Sequence, residues 1–406
     1  MTSRPQARSF FSRVASALAF ATVATAGLLG ASCKWDKMPF KPGDTRTFAG
    51  EVEVSGAELN KGYQSYMRYC YACHGEKGDG KGPSSYSLRP PPRDFTRGVF
   101  KFARMSSSDD YPNDADLVRI VKGGLHGTAM LPWDIPDEEL LRVLNYIKTF
   151  GPLTEEGEQT HEGSRWEKIR KKTGKVYPVL DEWTPEPDPW GGKEAEAIQL
   201  GKELYHLRAE CVNCHPGYDT KENLYKMSVE AAKRAPDKFS VLKGFRDDLY
   251  HSQPKKSDEY GVQIMPPDFT MDFVRSAHPE TRIQDLYRIL SFGVYPIMPK
   301  WKGAGLSDAE IYAIAHYVNS LIEMRGKTEA LDLKQQVNEQ KPFDIPKPEE
   351  AKPAEQPADA AEGDKKEGDP ADKKDAPADA KKDTPADAKK DEAKKDEAKK
   401  DDAKKD

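Results

Sequence analysis

Cysteine is scarce in this 406-residue chain: there are five, and four of them sit in two short pentads. Strand-like alternation of apolar and polar residues is largely missing, which excludes a mainly β architecture. After the first 32 residues no apolar run is long enough to span a bilayer. No basic cluster is interleaved with aromatics, which removes support for nucleic-acid binding. Net charge is close to balanced, with 63 Lys and Arg against 68 Asp and Glu. The whole deficit of −5 lies in a tail from about residue 349, where 15 Lys face 20 Asp and Glu. That tail contains Ala, Lys, Asp, Glu and Pro with a few Gly, Gln and Thr. It cannot bury a core and is read as a disordered, solvated spacer.

The pentads are "CYACH" at 70–74 and "CVNCH" at 211–215. A zinc site needs four ligands but does not require His at the same offset twice. A disulfide or thioredoxin-like pair explains the thiols and leaves both histidines without a role. Covalent haem c uses every residue. Cys70 and Cys73, and likewise Cys211 and Cys214, add across the porphyrin vinyl groups, while His74 and His215 fall beneath the iron as proximal ligands. Two haem c groups are therefore expected.

Each iron then needs an opposite ligand. "GLHGTAMLPW" (124–133) offers Met130 and "GVYPIMPKW" (293–301) offers Met298, in matching Met, Pro and Trp contexts. A soft thioether favours ferrous iron and raises the potential. Met67, Met105, Met227 and Met324 read as core filler. His126 competes with Met130, and Met265 in "QIMPPDF" competes with Met298.

The halves repeat beyond the pentads. "LRPPPRDFTRG" (88–98) matches "IMPPDFTMDF" (264–273), which puts Met265 at a non-ligand position near Arg89. "DLVRIVKGG" (116–124) matches "DLYRILSFG" (285–293), and "LLRVLNYIKTF" (140–150) matches "IYAIAHYVNSL" (311–321). Two copies in one order predict two similar domains. Ile311, Ile314, Ala315 and Val318 share one helix face, opened by a Ser307–Glu310 capping box. Leu140, Leu144 and Ile147 form the counterpart. Leu117, Ile120 and Val121 make a shorter helix that Gly123 and Gly124 end.

On these motifs each half resembles a class I c-type cytochrome domain. The resemblance covers about 230 residues and implies a mostly α fold of two tandem domains. It also implies a helix crossing in which Gly62 and Tyr66 meet Tyr146, and Gly201 and Tyr205 meet Tyr317. In the family a proline carbonyl accepts the hydrogen bond from the proximal His Nδ1, which points to Pro83 for His74. His215 has no Gly-Pro at that offset, so the sequence leaves its acceptor open. The interval from proximal His to Met is 56 residues in the first half and 83 in the second. The extra stretch, 218–262, is either cover for the haem edge or a docking insertion.

The N-terminus reads as an export signal, with Arg4, Arg8 and Arg13 before an apolar stretch from Val14 to Gly30. Cys33 follows "GAS" as the residue a bacterial lipoprotein would lipidate, although Gly30 stands where a Leu is usual. An uncleaved helix and a free periplasmic protein are the alternatives. Lys34 after the cysteine favours the outer membrane. The expected layout is signal 1–32, tether 33–55, cytochrome domains at 56–152 and 196–325 around a linker at 153–195, and a linker with tail at 326–406. The linker's Trp166, Trp183 and Trp190 leave open whether it packs or forms a loose strap.

The function expected is a lipid-anchored periplasmic dihaem cytochrome c passing single electrons between a redox donor and acceptor, without catalysis of its own. Two rivals stand. One is a haem oxidoreductase, peroxidase-like or a sulfur-compound dehydrogenase, with an open second site. The other is the cytochrome subunit of a larger respiratory complex.

Overall fold

The computed structural model describes residues 38–48, 53–105, 107–174, 183–257 and 261–346. The export segment, Cys33 and the tail from about 349 lie outside them. Among the described residues the chain is mostly helical, with two short antiparallel strand pairs, and no helix is long and apolar enough to cross a membrane.

The first half opens with β1 (Thr45–Thr47) paired to β2 (Glu53–Ser55). Ser55 then caps α1 (Gly56–Tyr69), its hydroxyl accepting from the Glu58 amide at 3.3 Å. The pentad follows as a single turn, α2 (Tyr71–His74). Asn113 caps α3 (Asp114–Gly123), which stops at Gly124 with φ +68°. Three acidic residues open α4 (Asp137–Ile147), where they complement the helix dipole. α1 crosses α4 at Gly62, where a Cβ would lie 2.2 Å from the Arg142 carbonyl oxygen. That approach requires glycine. Around it pack Leu59, Tyr66, Leu140, Tyr146 and Phe150, each at most 1% exposed. Burying an aliphatic side chain such as Leu140 contributes about 2 kcal/mol.

The second half rebuilds this arrangement. α6 (Glu194–Glu203) crosses α9 (Asp308–Glu323) at Gly201, where a Cβ would lie 2.0 Å from the Ala313 carbonyl oxygen. The expected capping box is present: Ser307 Oγ accepts from the Glu310 amide while Glu310 accepts from the Ser307 amide. α7 (Lys221–Arg234) belongs to the stretch absent from the first half, β3 (Lys255–Ser257) pairs with β4 (Val262–Ile264), and α8 (Arg282–Phe292) corresponds to α3.

Two connecting stretches differ from expectation, and the linker, left open by the sequence, is packed. The tether is not a mere spacer, because Phe40, Phe48 and Val54 are buried in the first core and Asn60 holds both backbone groups of Phe40. The linker packs on both halves. On the first, α5 (Arg165–Thr173) buries Trp166. On the second, Trp183 stacks on Tyr287 at 5.7 Å and Trp190 Nε1 donates to the Ala309 carbonyl at 2.9 Å. The region after 326 starts not as linker but as α10 (Thr328–Asn338), with Ala330 and Val337 buried. Its apolar stripe is only a few residues wide, which hid it in the sequence.

Candidate functional site

The first pentad is held by close backbone packing. A loop of glycines folds back on it: the Gly82 amide donates to the Cys73 carbonyl, and the Ser84 amide to the Ala72 carbonyl. A Cβ at Gly82 would meet the Tyr71 and Ala72 carbonyl oxygens at 2.5 and 2.4 Å, so a side chain is excluded there. Tyr66 Oη donates to the Gly75 carbonyl at 2.6 Å and ties α1 to the pentad. The His74 ring lies 4.3 Å from that of Phe95, nearly parallel at 15°.

The expected acceptor for His74 is corrected. Nδ1 faces the Arg93 carbonyl at 3.0 Å, and Pro83 is exposed. The loop around Pro83 is committed to the pentad carbonyls, so its own carbonyl does not reach the ring. Arg93 is presented instead by a turn in which Asp94 Oδ1 accepts from the Thr96 amide (2.9 Å) and hydroxyl (2.6 Å), while the Phe95 amide bonds Gly78.

The second pentad follows a π-turn at Leu204–Arg208 and opens with a 3₁₀ turn at Cys211–Asn213. His215 Nδ1 faces the Pro267 carbonyl at 3.0 Å, and its ring stacks on Phe269 at 4.8 Å and 18°. Asp268 Oδ1 accepts from the Thr270 amide at 3.1 Å and hydroxyl at 2.8 Å. Tyr205 Oη donates to the Pro216 carbonyl at 2.9 Å. The repeated Asp-Phe-Thr at 94–96 and 268–270 is thus the device that holds each proximal ring. It was visible in the aligned stretches, and its role was missed because it lies far from the pentads in sequence.

The extra stretch of the second half covers the pentad. The Gln253 amide donates to the Cys214 carbonyl at 2.8 Å, and Arg246 Nη2 donates to the carbonyls of His215, Leu249 and His251. These contacts do what the glycine loop does in the first half. Leu224, Ala231, Phe239 and Leu249 bury the stretch against the domain.

The methionine loops are built alike. Gly124 and Gly293 both have positive φ, and each sits against the carbonyl of its methionine. The Leu125 amide donates to the Met130 carbonyl at 2.8 Å, and the Val294 amide to the Met298 carbonyl at 2.9 Å. The Trp133 amide then bonds Val121, and the Trp301 amide bonds Leu290, the matching position of the repeat. Met130 is half-buried, and Met298 packs against the second core. Met265 is 59% exposed and lies two residues before the acceptor of His215. His126 is half-buried, with its ring 5.0 Å from that of His278.

Burial sets the protonation states. It pushes the Cys70 and Cys211 thiols up to about 12, which keeps both protonated. It holds His74 down at about 4 and lowers His215, although the carbonyl at each Nδ1 works the other way. A neutral ring that donates from Nδ1 keeps the Nε2 lone pair for a metal. Among the described residues no three His, Cys, Asp or Glu side chains gather into an ion site. At the first pentad, two thiols on one turn, an oriented imidazole and a flat aromatic behind it fit a haem c. The second pentad presents the same donors.

Residues 57–147 match the family described as cytochrome c oxidase, cbb3-type, subunit III. The match supports a c-type cytochrome domain there. It also supports covalent haem c at the pentad it contains. Among solved structures, a chain of a reducing HAO-like protein complex from Kuenenia stuttgartiensis is similar at 26% identity, covering 64% of this chain and 96% of that one, with a TM-score of 0.43. No curated protein matches.

Proposed function

We propose that this chain is a dihaem electron carrier, with haem c on Cys70 and Cys73 and on Cys211 and Cys214. His74 and Met130 ligate one iron, and His215 and Met298 the other. The observation that carries the proposal is the repetition of the whole second pentad environment: ring stack, carbonyl acceptor, Asp-Phe-Thr turn and methionine loop. A bound haem supplies a one-electron couple. The protein's own residues orient the imidazoles through Arg93 and Pro267, bury the rings against Phe95 and Phe269, and present a thioether from each loop. Two closed irons leave no position for substrate, which favours a carrier over a catalyst. Met298 is preferred to Met265 because it packs inward on a loop matching that of Met130.

The partners proposed are redox proteins on the periplasmic side of a bacterial membrane, with the chain tethered through lipid on Cys33. Stable attachment of this kind takes more than one acyl chain. Cys33→Ser should move the protein from the membrane to the soluble fraction, and retention would refute the lipid anchor. The deciding measurement for the carrier is the weak near-red absorption of Met bound to ferric iron, at known haem content. Intensity for two methionines per chain is expected. Intensity for one or none would put an oxidoreductase with an open site ahead.

A further inference from the structure

The repeated segments "DLVR" and "DLYR" do more than fill equivalent places in two domains. Arg119 Nη1 donates to Asp285 Oδ1 at 2.7 Å, and Arg288 Nη1 donates in return to Asp116 Oδ1. The Arg of each copy therefore pairs with the Asp of the other, the reciprocal pattern of a two-fold interface. Asp116, Asp285 and Arg288 are each at most 7% exposed. Arg119 Nη2 also donates to Ser276 Oγ at 2.7 Å, and Arg104 Nε donates to the second oxygen of Asp116 at 2.7 Å. Buried charges of this kind are costly unless paired, so the arrangement is specific.

From Asp285 the contacts lead to the first methionine loop. Asp285 Oδ2 accepts from the His278 amide at 2.9 Å and faces His278 Nδ1 at 3.0 Å. The other ring nitrogen faces the Gly123 carbonyl at 3.1 Å, at the end of α3 where that loop begins. A Cβ at Gly123 would meet His278 Nε2 at 2.3 Å. Two residues into the loop, the His126 amide donates to the Arg275 carbonyl at 2.9 Å, and Gly127 lies so close to Phe273 that a Cβ would meet its ring at 2.7 Å. The loop that carries Met130 is thus seated on residues 273–278 of the second half.

We propose that Arg119, Asp285 and His278 are positioning residues for the Met130 loop, so that the second half holds the axial-ligand loop of the first in place. The redox consequence rests on the reading that Met130 is a ligand, but the clasp itself does not. It couples the two halves where an electron relay needs them fixed, at the loop of one site and the helix preceding the loop of the other.

The test is amide hydrogen exchange on the full haem-loaded chain, read at His126 and Leu125, with near-red absorption recorded on the same samples. His278→Ala and Arg119→Gln should each speed exchange at His126 about tenfold, equivalent to about 1.4 kcal/mol of local opening. The Met298 amide, bonded within its own loop, should be unaffected by His278→Ala. Arg119→Lys keeps the charge but loses the forked contact to Ser276 and should fall between, which covers the case in which Arg119→Gln does not fold. A matching loss of near-red intensity would confirm both the clasp and Met130 ligation. Faster exchange with unchanged absorption supports the clasp and removes Met130 as ligand. Unchanged exchange at His126 in His278→Ala and Arg119→Lys overturns the clasp.

Discussion

Gly201→Ala tests whether the second half is held by the same close helix crossing as the first. A methyl placed there would sit 2.0 Å from the Ala313 carbonyl oxygen and 2.8 Å from Tyr317 Cβ. Neither neighbour is the flexible end of a side chain, so α6 and α9 must part by at least about 1 Å to restore ordinary contact. Parting loosens Leu204, Tyr205, Ile314 and Tyr317, all buried at this crossing. Overpacking of this type costs about 3 kcal/mol at its upper end, while the gain in helix propensity over glycine returns about 1 kcal/mol. The net loss is about 2 kcal/mol. With a urea slope of about 2 kcal/mol per molar, the midpoint should fall by about 1 M, followed by near-UV circular dichroism of the haem-loaded protein. Gly244→Ala is the control, because a Cβ there meets nothing within 4 Å. A Gly201→Ala midpoint equal to that of the control, or higher, would refute the crossing.

Three further predictions address the sites. Met298→Ala should retain covalent haem and lower one of two midpoint potentials in a spectroelectrochemical titration; an unchanged spectrum and potential would transfer ligation to Met265 or another group. Arg246 places a guanidinium against the His215 carbonyl, and a cation there disfavours the ferric state. Arg246→Gln should therefore lower the second potential alone, and a rise in that potential would contradict the argument. Burial holds His206 at about 4, below its ordinary value; its Nδ1 donates to the Lys202 carbonyl at 2.8 Å and its Nε2 accepts from the Tyr218 amide at 3.2 Å, which suits the neutral ring. The unfolded chain takes up that proton as pH falls below about 6.5 while the folded chain does not, so stability is full above that pH and declines down to about 4, by as much as about 3 kcal/mol. His206→Gln should flatten part of this slope in denaturant titrations from pH 7 to 4, and an unaltered slope would exclude His206 as its source.

What could be read from the sequence was whatever is carried by short local patterns. The pentads, the Ser307–Glu310 cap and the apolar spacing of α4 and α9 each depend on neighbours within a turn or two. The glycine at each crossing came only from the resemblance to class I cytochromes, and the close approach that Gly62 and Gly201 make is its physical reason. Long-range partners were not identifiable in this way. Pro83 was the expected acceptor because a proline carbonyl plays that part in the family the chain resembles, yet the carbonyl that reaches His74 belongs to Arg93, nineteen residues away and delivered by a turn. Nothing local marks a carbonyl as an acceptor. Similarly, α10 buries only Ala330 and Val337 and the β1–β2 pair only Val54, too few for a periodic signal.

The same distinction explains how two halves of unequal length keep one site. The pentad carbonyls must be satisfied once the turn is buried, and the backbone does not specify the donor. The first half supplies amides from a loop of glycines that approaches closely because it has no side chains. The second half has no such loop and supplies the Gln253 amide and the Arg246 guanidinium from a folded insertion. Ring orientation, by contrast, depends on one carbonyl at a fixed angle to the imidazole, and both halves use the same Asp-Phe-Thr turn for it. The element that orients the imidazole is therefore repeated, while the cover over the pentad is free to change, and in the second half that cover brings the Arg246 guanidinium to the His215 carbonyl. On the proposed reading of two haems, alike ligands under unlike covers would separate two potentials along one chain, as a directed relay requires.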